Sequence, residues 1–226
     1  YDGNRRIITD RNGKQSIREY NPDGLLVKYT DANGNATTYE YDAAYNVTKE
    51  TDANGNSIIR TYNCYNKPAE ITDRNGHKTR FEYDDCGNLI SIYYPTVAGI
   101  NPVERFTHNG DNQIIQHVDI RGVLTTYTYD VNRMLETKKV GSKNAMHFSF
   151  QNGLLQSKTD AAGNVTHYSY NSIGQLVAIT DADNNTNLYE YDQIGNLLMT
   201  TDPNGKTSRF TYDGNCMKTS ATDFNG

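Results

Sequence analysis

The sequence predicts an all-β repeat array in which about ten 21-residue β-hairpin units join into one continuous, spiralling antiparallel sheet. Three observations lead there: a tyrosine returns at a fixed period, the residues before it alternate as a strand does, and glycine turns punctuate nearly every unit. The anchor tyrosines are Tyr20, Tyr41, Tyr62, Tyr83, Tyr129, Tyr170, Tyr191 and Tyr212, with His108 and Phe150 in the same slot. Most steps between them are 21 residues; the exceptions are 19 from Tyr1 to Tyr20, 25 from Tyr83 to His108 and 20 from Phe150 to Tyr170. An array of equal units has no internal boundary at which contacts thin out, so residues 1–226 read as a single domain.

Each half of a unit has its own strand. From Asn35 to Tyr41, the residues Thr37, Tyr39 and Tyr41 fall on one face and Ala36, Thr38 and Glu40 on the other. Lys206 to Tyr212 and Thr186 to Tyr191 repeat the pattern, and β-branched and aromatic residues dominate it. The second strand is carried by stretches such as Asn196 to Thr201. Two turns complete the unit. Asp31 to Gly34, Asp52 to Gly55, Asp73 to Gly76 and Asp202 to Gly205 have the chemistry of a type I turn closed by a glycine bulge: the Asp side chain bonds nearby backbone, and Gly supplies the positive φ. Gly163 stands in the same place after Asp160. Asp84 to Gly87 and Asp192 to Gly195 form the opposite turn.

Three places depart from the pattern. Pro95 to Pro102 replaces an Asp turn by a longer loop whose prolines remove two strand donors. Lys138, Lys139, Val140, Gly141 and Ser142 stand where the unit after Tyr129 should place its Asp turn. Pro68 occupies a strand position, which predicts a bulge or a late strand start there.

Composition fits a sheet wetted on both faces. Mean hydropathy is −0.79 and Leu, Ile, Val and Phe make up roughly a fifth of the chain, too little for the interior of a sandwich or barrel. Disorder is opposed by a net charge of only −5 and by 18 tyrosines, most held at fixed phase. With 22 basic against 27 acidic residues, interspersed, there is no basic stripe for nucleic acid. No stretch approaches the roughly 18 apolar residues of a membrane-spanning helix. The chain opens on Tyr1 and closes on Thr222, Asp223, Phe224, Asn225 and Gly226, both in mid-unit, which predicts a piece of a longer array.

Candidate chemistry is sparse. Cys64, Cys86 and Cys216 lie two, three and four places after their anchors, so they form no common column and are expected as free thiols. His77, His108, His117, His147 and His167 sit at different phases without metal-ligand spacing. The pair Asp84 and Asp85 reads as turn chemistry rather than as glycosidase carboxylates. Asp52, Asn54 and Asn56 alternate oxygens like a calcium loop, but the loop lacks its sixth-place Gly and closing Glu. The reading is therefore non-catalytic, with no cofactor and no metal. Tyrosine rows offer one rival, a carbohydrate-binding or adhesion module, if their ring faces are open.

The phrase Tyr191, Asp192, Gly195, Asn196, Leu197, then Thr201, Asp202, Gly205, Thr207, Tyr212 and Asp213 resembles the YD or Rhs repeat of bacterial rearrangement-hotspot proteins, insecticidal toxin complex B and C subunits, wall-associated bacterial toxins and animal teneurins. The resemblance covers essentially the whole chain. It implies a spiralling sheet that builds a hollow shell around a C-terminal toxin domain in a secreted or cell-surface protein. The partners it implies are the rest of the shell and the enclosed toxin; the mid-unit ends separately predict self-association of an isolated piece through open strand edges. The family's self-cleavage uses paired Asp-Pro-x-Gly motifs; here only Asp202, Pro203, Asn204 and Gly205 have that form, so no protease role follows.

Overall fold

The computed structural model describes residues 4–223; Tyr1, Phe224, Asn225 and Gly226 lie outside the described residues. Residues 4–223 fold as antiparallel strands with no helix among them. The chain divides into two compact units, one up to Gly122 and one from Val123.

The first unit begins with β1 (Arg5–Thr9), β2 (Gln15–Tyr20), β3 (Leu26–Thr30), β4 (Ala36–Tyr41), β5 (Val47–Thr51) and β6 (Ser57–Tyr62). It continues with β7 (Pro68–Thr72), β8 (Lys78–Tyr83), β9 (Leu89–Tyr93), β10 (Val103–His108) and β11 (Ile114–Val118). The second unit begins with β12 (Leu124–Tyr129), β13 (Leu135–Val140), β14 (Met146–Gln151), β15 (Leu154–Thr159) and β16 (Val165–Tyr170). Its remaining strands are β17 (Leu176–Thr180), β18 (Thr186–Tyr191), β19 (Leu197–Thr201), β20 (Thr207–Tyr212) and β21 (Lys218–Thr222). Within each unit every strand pairs with its neighbours in chain order, a plain meander. Each anchor tyrosine closes an even-numbered strand.

The two turns of the repeat share one geometry. At Asp31 to Asn35 the Gly34 N–H donates to the Asp31 carbonyl at 3.0 Å and the Asp31 N–H donates to the Asn35 carbonyl at 2.9 Å. The Asp31 Oδ1 accepts the N–H groups of Asn33 and Asn35, both at 2.8 Å. Gly34, Gly55, Gly76, Gly163 and Gly205 have φ of 88°, 84°, 84°, 94° and 81°, the left-handed conformation of a glycine bulge. On the opposite rim the same bonds form at Asp42, where the fourth residue is Tyr45 with φ 65°. Arg133 and Cys216 occupy that position too, with φ 65° and 61°. The side-chain cap and the flanking strands impose the conformation even where a Cβ opposes it.

The period breaks have local causes. Asn152 and Gly153, both at positive φ, make a two-residue turn between Gln151 and Leu154, which shortens that repeat to 20 residues. The insertion before β10 is a pinched hairpin rather than an open loop: Val97 and Ile100 exchange hydrogen bonds at 2.9 Å, and Ala98 and Gly99 turn the chain at φ 50° and 79°. Strand β7 starts at Pro68, in step with its neighbours. The bulge expected there is common to the array. Tyr41 faces Val47 while Glu40 faces Lys49, which leaves Thr48 extra, and the same shift recurs opposite Tyr20, Tyr62, Tyr83, Tyr129, Tyr170, Tyr191 and Tyr212.

No apolar side chain among the described residues is buried; the buried residues are Gly87, Ser91, Thr125 and Ser208. Half-buried columns stand in for a core. Thr37, Tyr39 and Tyr41 are half-buried while Thr38 and Glu40 are exposed, which gives the sheet a covered face and a wet face. On the wet face Glu40 pairs with Lys49 at 3.1 Å and Glu19 with Lys28 at 3.4 Å, directly across the ladder.

Candidate functional site

The candidate site is the tyrosine column, because it is the feature repeated most faithfully. All eight anchor tyrosines are half-buried. Their hydroxyls reach out of their own hairpin: Tyr41 donates to the Leu26 carbonyl at 2.7 Å, Tyr62 to Val47 at 2.8 Å, and Tyr83 to Pro68 at 3.0 Å. In the second unit Tyr170 donates to Leu155 and Tyr212 to Leu197, each at 3.0 Å. The separation is 15 residues every time, and each acceptor lies opposite the preceding anchor-slot residue, beside the bulge. A bulge disrupts the ladder and leaves an unpaired residue, and the hydroxyl of the next hairpin binds there. Burial pushes the Tyr41, Tyr83 and Tyr129 phenols above their ordinary value, with Tyr39 and Tyr127 adding to it for Tyr41 and Tyr129.

The rim beside this column also ties neighbouring hairpins together. Asn46 donates its side-chain amide to Asn66 Oδ1 at 3.2 Å, and Asn88 does the same to Asn112 at 2.8 Å. Tyr65 donates its hydroxyl to the Asp85 carbonyl at 2.8 Å, and the Lys67 ammonium donates to the Gly87 carbonyl. On the opposite rim Arg74 reaches Glu50 at 2.7 Å and Asp52 at 3.2 Å. Neighbouring hairpins within a unit are thus bonded chiefly to one another, the arrangement expected of a one-dimensional array.

The acidic residues serve turns. Asp31, Asp42, Asp84, Asp160 and Asp181 are held below the ordinary carboxyl pKa, first by the side-chain amide of the Asn four residues on and then by that residue's N–H. For Asp73 the His77 N–H leads. Burial alone would raise Asp192, but the Asn196 amide and backbone N–H groups overcome it. Asp52 Oδ1 accepts from the N–H groups of Asn54 and Asn56, so the alternating oxygens close a turn. Asp202 Oδ1 likewise accepts from Asn204 and Lys206. Asp84 caps its own turn, and the backbone of Asp85 receives Tyr65.

Among the histidines, Phe106 and His117 stack with ring centroids 4.8 Å apart, and His117 Nε2 lies 3.6 Å from Glu104. That distance is too long for a hydrogen bond. His77 Nδ1 is 3.1 Å from its own turn's Asp73. The three cysteines are free, exposed and confined to turns or their edges.

Comparison with known proteins places these features. The sequence model described as RHS Repeat matches residues 20–57, 65–96, 151–186 and 191–226, more than half of the chain. No curated protein matches it. Among solved structures, TcdB2–TccC3 without its hypervariable C-terminal region superposes with a TM-score of 0.50 at 14% identity, over 92% of this chain and 17% of that one. A TcdB2–TccC3–Cdc42 structure gives 0.49 at 13% identity, with the same coverage. The Photorhabdus luminescens Tc holotoxin pore gives 0.47 at 17% identity, over 88% of this chain and 14% of that one. The chain therefore spans about a sixth of the length of the structures it resembles.

Proposed function

The chain belongs to the RHS repeat family, and on that premise we propose that it is a non-catalytic scaffold: one run of YD repeats, residues 1–226, forming part of the wall of a β-shell that encloses the C-terminal toxin domain of a secreted or cell-surface bacterial protein. The observation that carries this reading is the tyrosine-to-carbonyl bond repeated at 15 residues. It spends the polar end of the anchor residues on joining one hairpin to the next, as a wall requires. A sheet with no buried apolar side chain among its described residues draws its stability from such neighbour contacts and can be lengthened without limit by a core. The superposition on TcdB2–TccC3 agrees with this fold.

In the parent protein the partners are further repeats beside β1 and β21 and the domain within. The carbohydrate reading has less behind it, because the anchor rings are half-buried and the hydroxyls of Tyr41, Tyr62, Tyr83, Tyr170 and Tyr212 are already engaged. Limited proteolysis of the complete parent protein tests the proposal. Its C-terminal domain should resist cleavage while the array is intact and become sensitive when Gly34, Gly55 and Gly76 are together replaced by Val. A domain cut equally fast in both proteins would overturn it.

A further inference from the structure

One junction in the second unit is open where its counterparts are closed. At the junctions β15–β16, β17–β18 and β19–β20 the ladder runs to the turn, ending on the pairs Thr159–Val165, Thr180–Thr186 and Thr201–Thr207. Between β13 and β14 only Thr137–His147 and Lys138–Met146 pair, which leaves residues 139–145 outside that ladder. The cause is the missing Asp. Without a side chain to cap the turn, the end of β13 stays with the preceding strand: Val140 pairs with Thr125, and the Gly141 N–H donates to the Leu124 carbonyl at 2.7 Å. On the other side of the opening, the Asn144 side-chain amide donates to the Ala161 carbonyl at 3.2 Å and holds the turn against the next one.

The result is a cleft of about 410 Å³ lined by Val140, Met146, Ala161 and Ala162, with Lys138, Lys143, Asn144 and Asp160 around it. Its charge is net positive, two lysines against one carboxylate. Asp160 is occupied inside its own turn, accepting from the N–H groups of Ala162 and Asn164 and from the Asn164 amide. Lys138 lies with its ammonium 5.8 Å from the centre of the Tyr127 ring, and among the described residues neither Lys138 nor Lys143 has a carboxylate within ion-pair distance. Two ammonium groups without an ion-pair partner outnumber the Asp160 carboxylate beside an apolar floor, a local excess of positive charge in a chain of net charge −5.

We propose that this cleft binds the carboxylate end of an extended polypeptide whose last side chain is apolar. The apolar lining takes the side chain, the two lysines take the terminal carboxylate, and the parted strand edges offer backbone groups to a short extended segment. The occupant follows from those three features together; a free fatty carboxylate would use only two of them. The inference is independent of the shell proposal, because it concerns one turn and not the array.

Methyl NMR of the full 226-residue chain tests it, with N-acetyl-valyl-leucine as probe and its C-terminal amide and hexanoate as controls. The free acid should shift the Met146, Ala161 and Ala162 methyls saturably, with the amide binding at least about tenfold more weakly, a difference of roughly 1.4 kcal/mol. Lys143→Met, a change at an exposed side chain that leaves the ladder untouched, should weaken the acid by a similar factor, and higher salt should do so too. Equal binding of acid and amide, binding unaffected by Lys143→Met, hexanoate binding as tightly as the dipeptide, or no saturable shift at these methyls would each overturn the proposal.

Discussion

The Tyr62 hydroxyl donates to the Val47 carbonyl at 2.8 Å, joining the end of one hairpin to the bulge of the one before it. Removing one such hydroxyl tests how much the tie contributes. Tyr62→Phe should destabilise the chain by about 0.5–1.5 kcal/mol, the usual net worth of one hydrogen bond. The control is Tyr39→Phe, two residues from an anchor on the same face, which should cost less. The converse change is available at Phe150, which holds an anchor slot without a hydroxyl; Phe150→Tyr should gain up to about 1 kcal/mol through a new bond to the β13 backbone. Chemical denaturation of the three variants checks this.

Turn conformation gives a second pair of expectations. A Cβ at Gly55 would meet nothing within 4 Å, so the cost of Gly55→Ala comes from φ 84° alone, about 1 kcal/mol. Gly55→Val adds β-branching and should cost more, about 1–3 kcal/mol. Arg133→Gly relieves the same strain at φ 65° and should stabilise by roughly 0.5–1 kcal/mol. Melting temperatures that move in opposite directions for the glycine-removing and glycine-adding variants are the expected result.

Acid should loosen the array. The carboxyls of Asp31, Asp42, Asp84, Asp160 and Asp181 have folded pKa values below their unfolded value of 3.8, so their contribution is present above that pH and is lost as pH falls through the folded values. Denaturation midpoints should therefore be flat from neutral pH down to about 5 and fall below about 4. Asp42→Asn should shrink that fall, since an amide has no proton to gain.

The outer strands of the described chain should make the isolated protein self-associate. β21 is exposed along its length and β1 nearly so, and each pairs on one side only among the described residues. An open edge is a template for another strand. Light scattering should show mass rising with concentration, and Ser220→Pro in the middle of β21 should reduce it. A monomer at every concentration, unchanged by the proline, would show that both edges are covered.

The strands and the Asp-to-Gly turns were legible because each is decided by residues a few places apart: alternation places Tyr39 and Tyr41 on one face, and Asp31 finds its N–H partners within four residues. The recurring bulge was not, because it depends on how two strands are offset, and no residue type marks Thr48 as the extra one. Positive φ at Tyr45, Arg133 and Cys216 was hidden for a related reason, since the Asp or Asn at the turn's start dictates the conformation and overrides the preference of the fourth residue. The Asn152-Gly153 turn carried a readable signal, a dipeptide suited to a two-residue hairpin. The tyrosine tie crosses from one unit to the next, so periodicity marks the donor and only the three-dimensional register shows the acceptor. Loss of the Asp near Val140 was visible in the sequence, but the cleft it opens required the paths of β12, β13 and β14.

Electron cryomicroscopy of the complete parent protein tests the central claim most directly. The account predicts a closed wall in which these repeats continue into further hairpins beyond β1 and β21, with separate density for a C-terminal domain inside it. An array that stays open to solvent on both faces, with its C-terminal domain outside, would contradict the account.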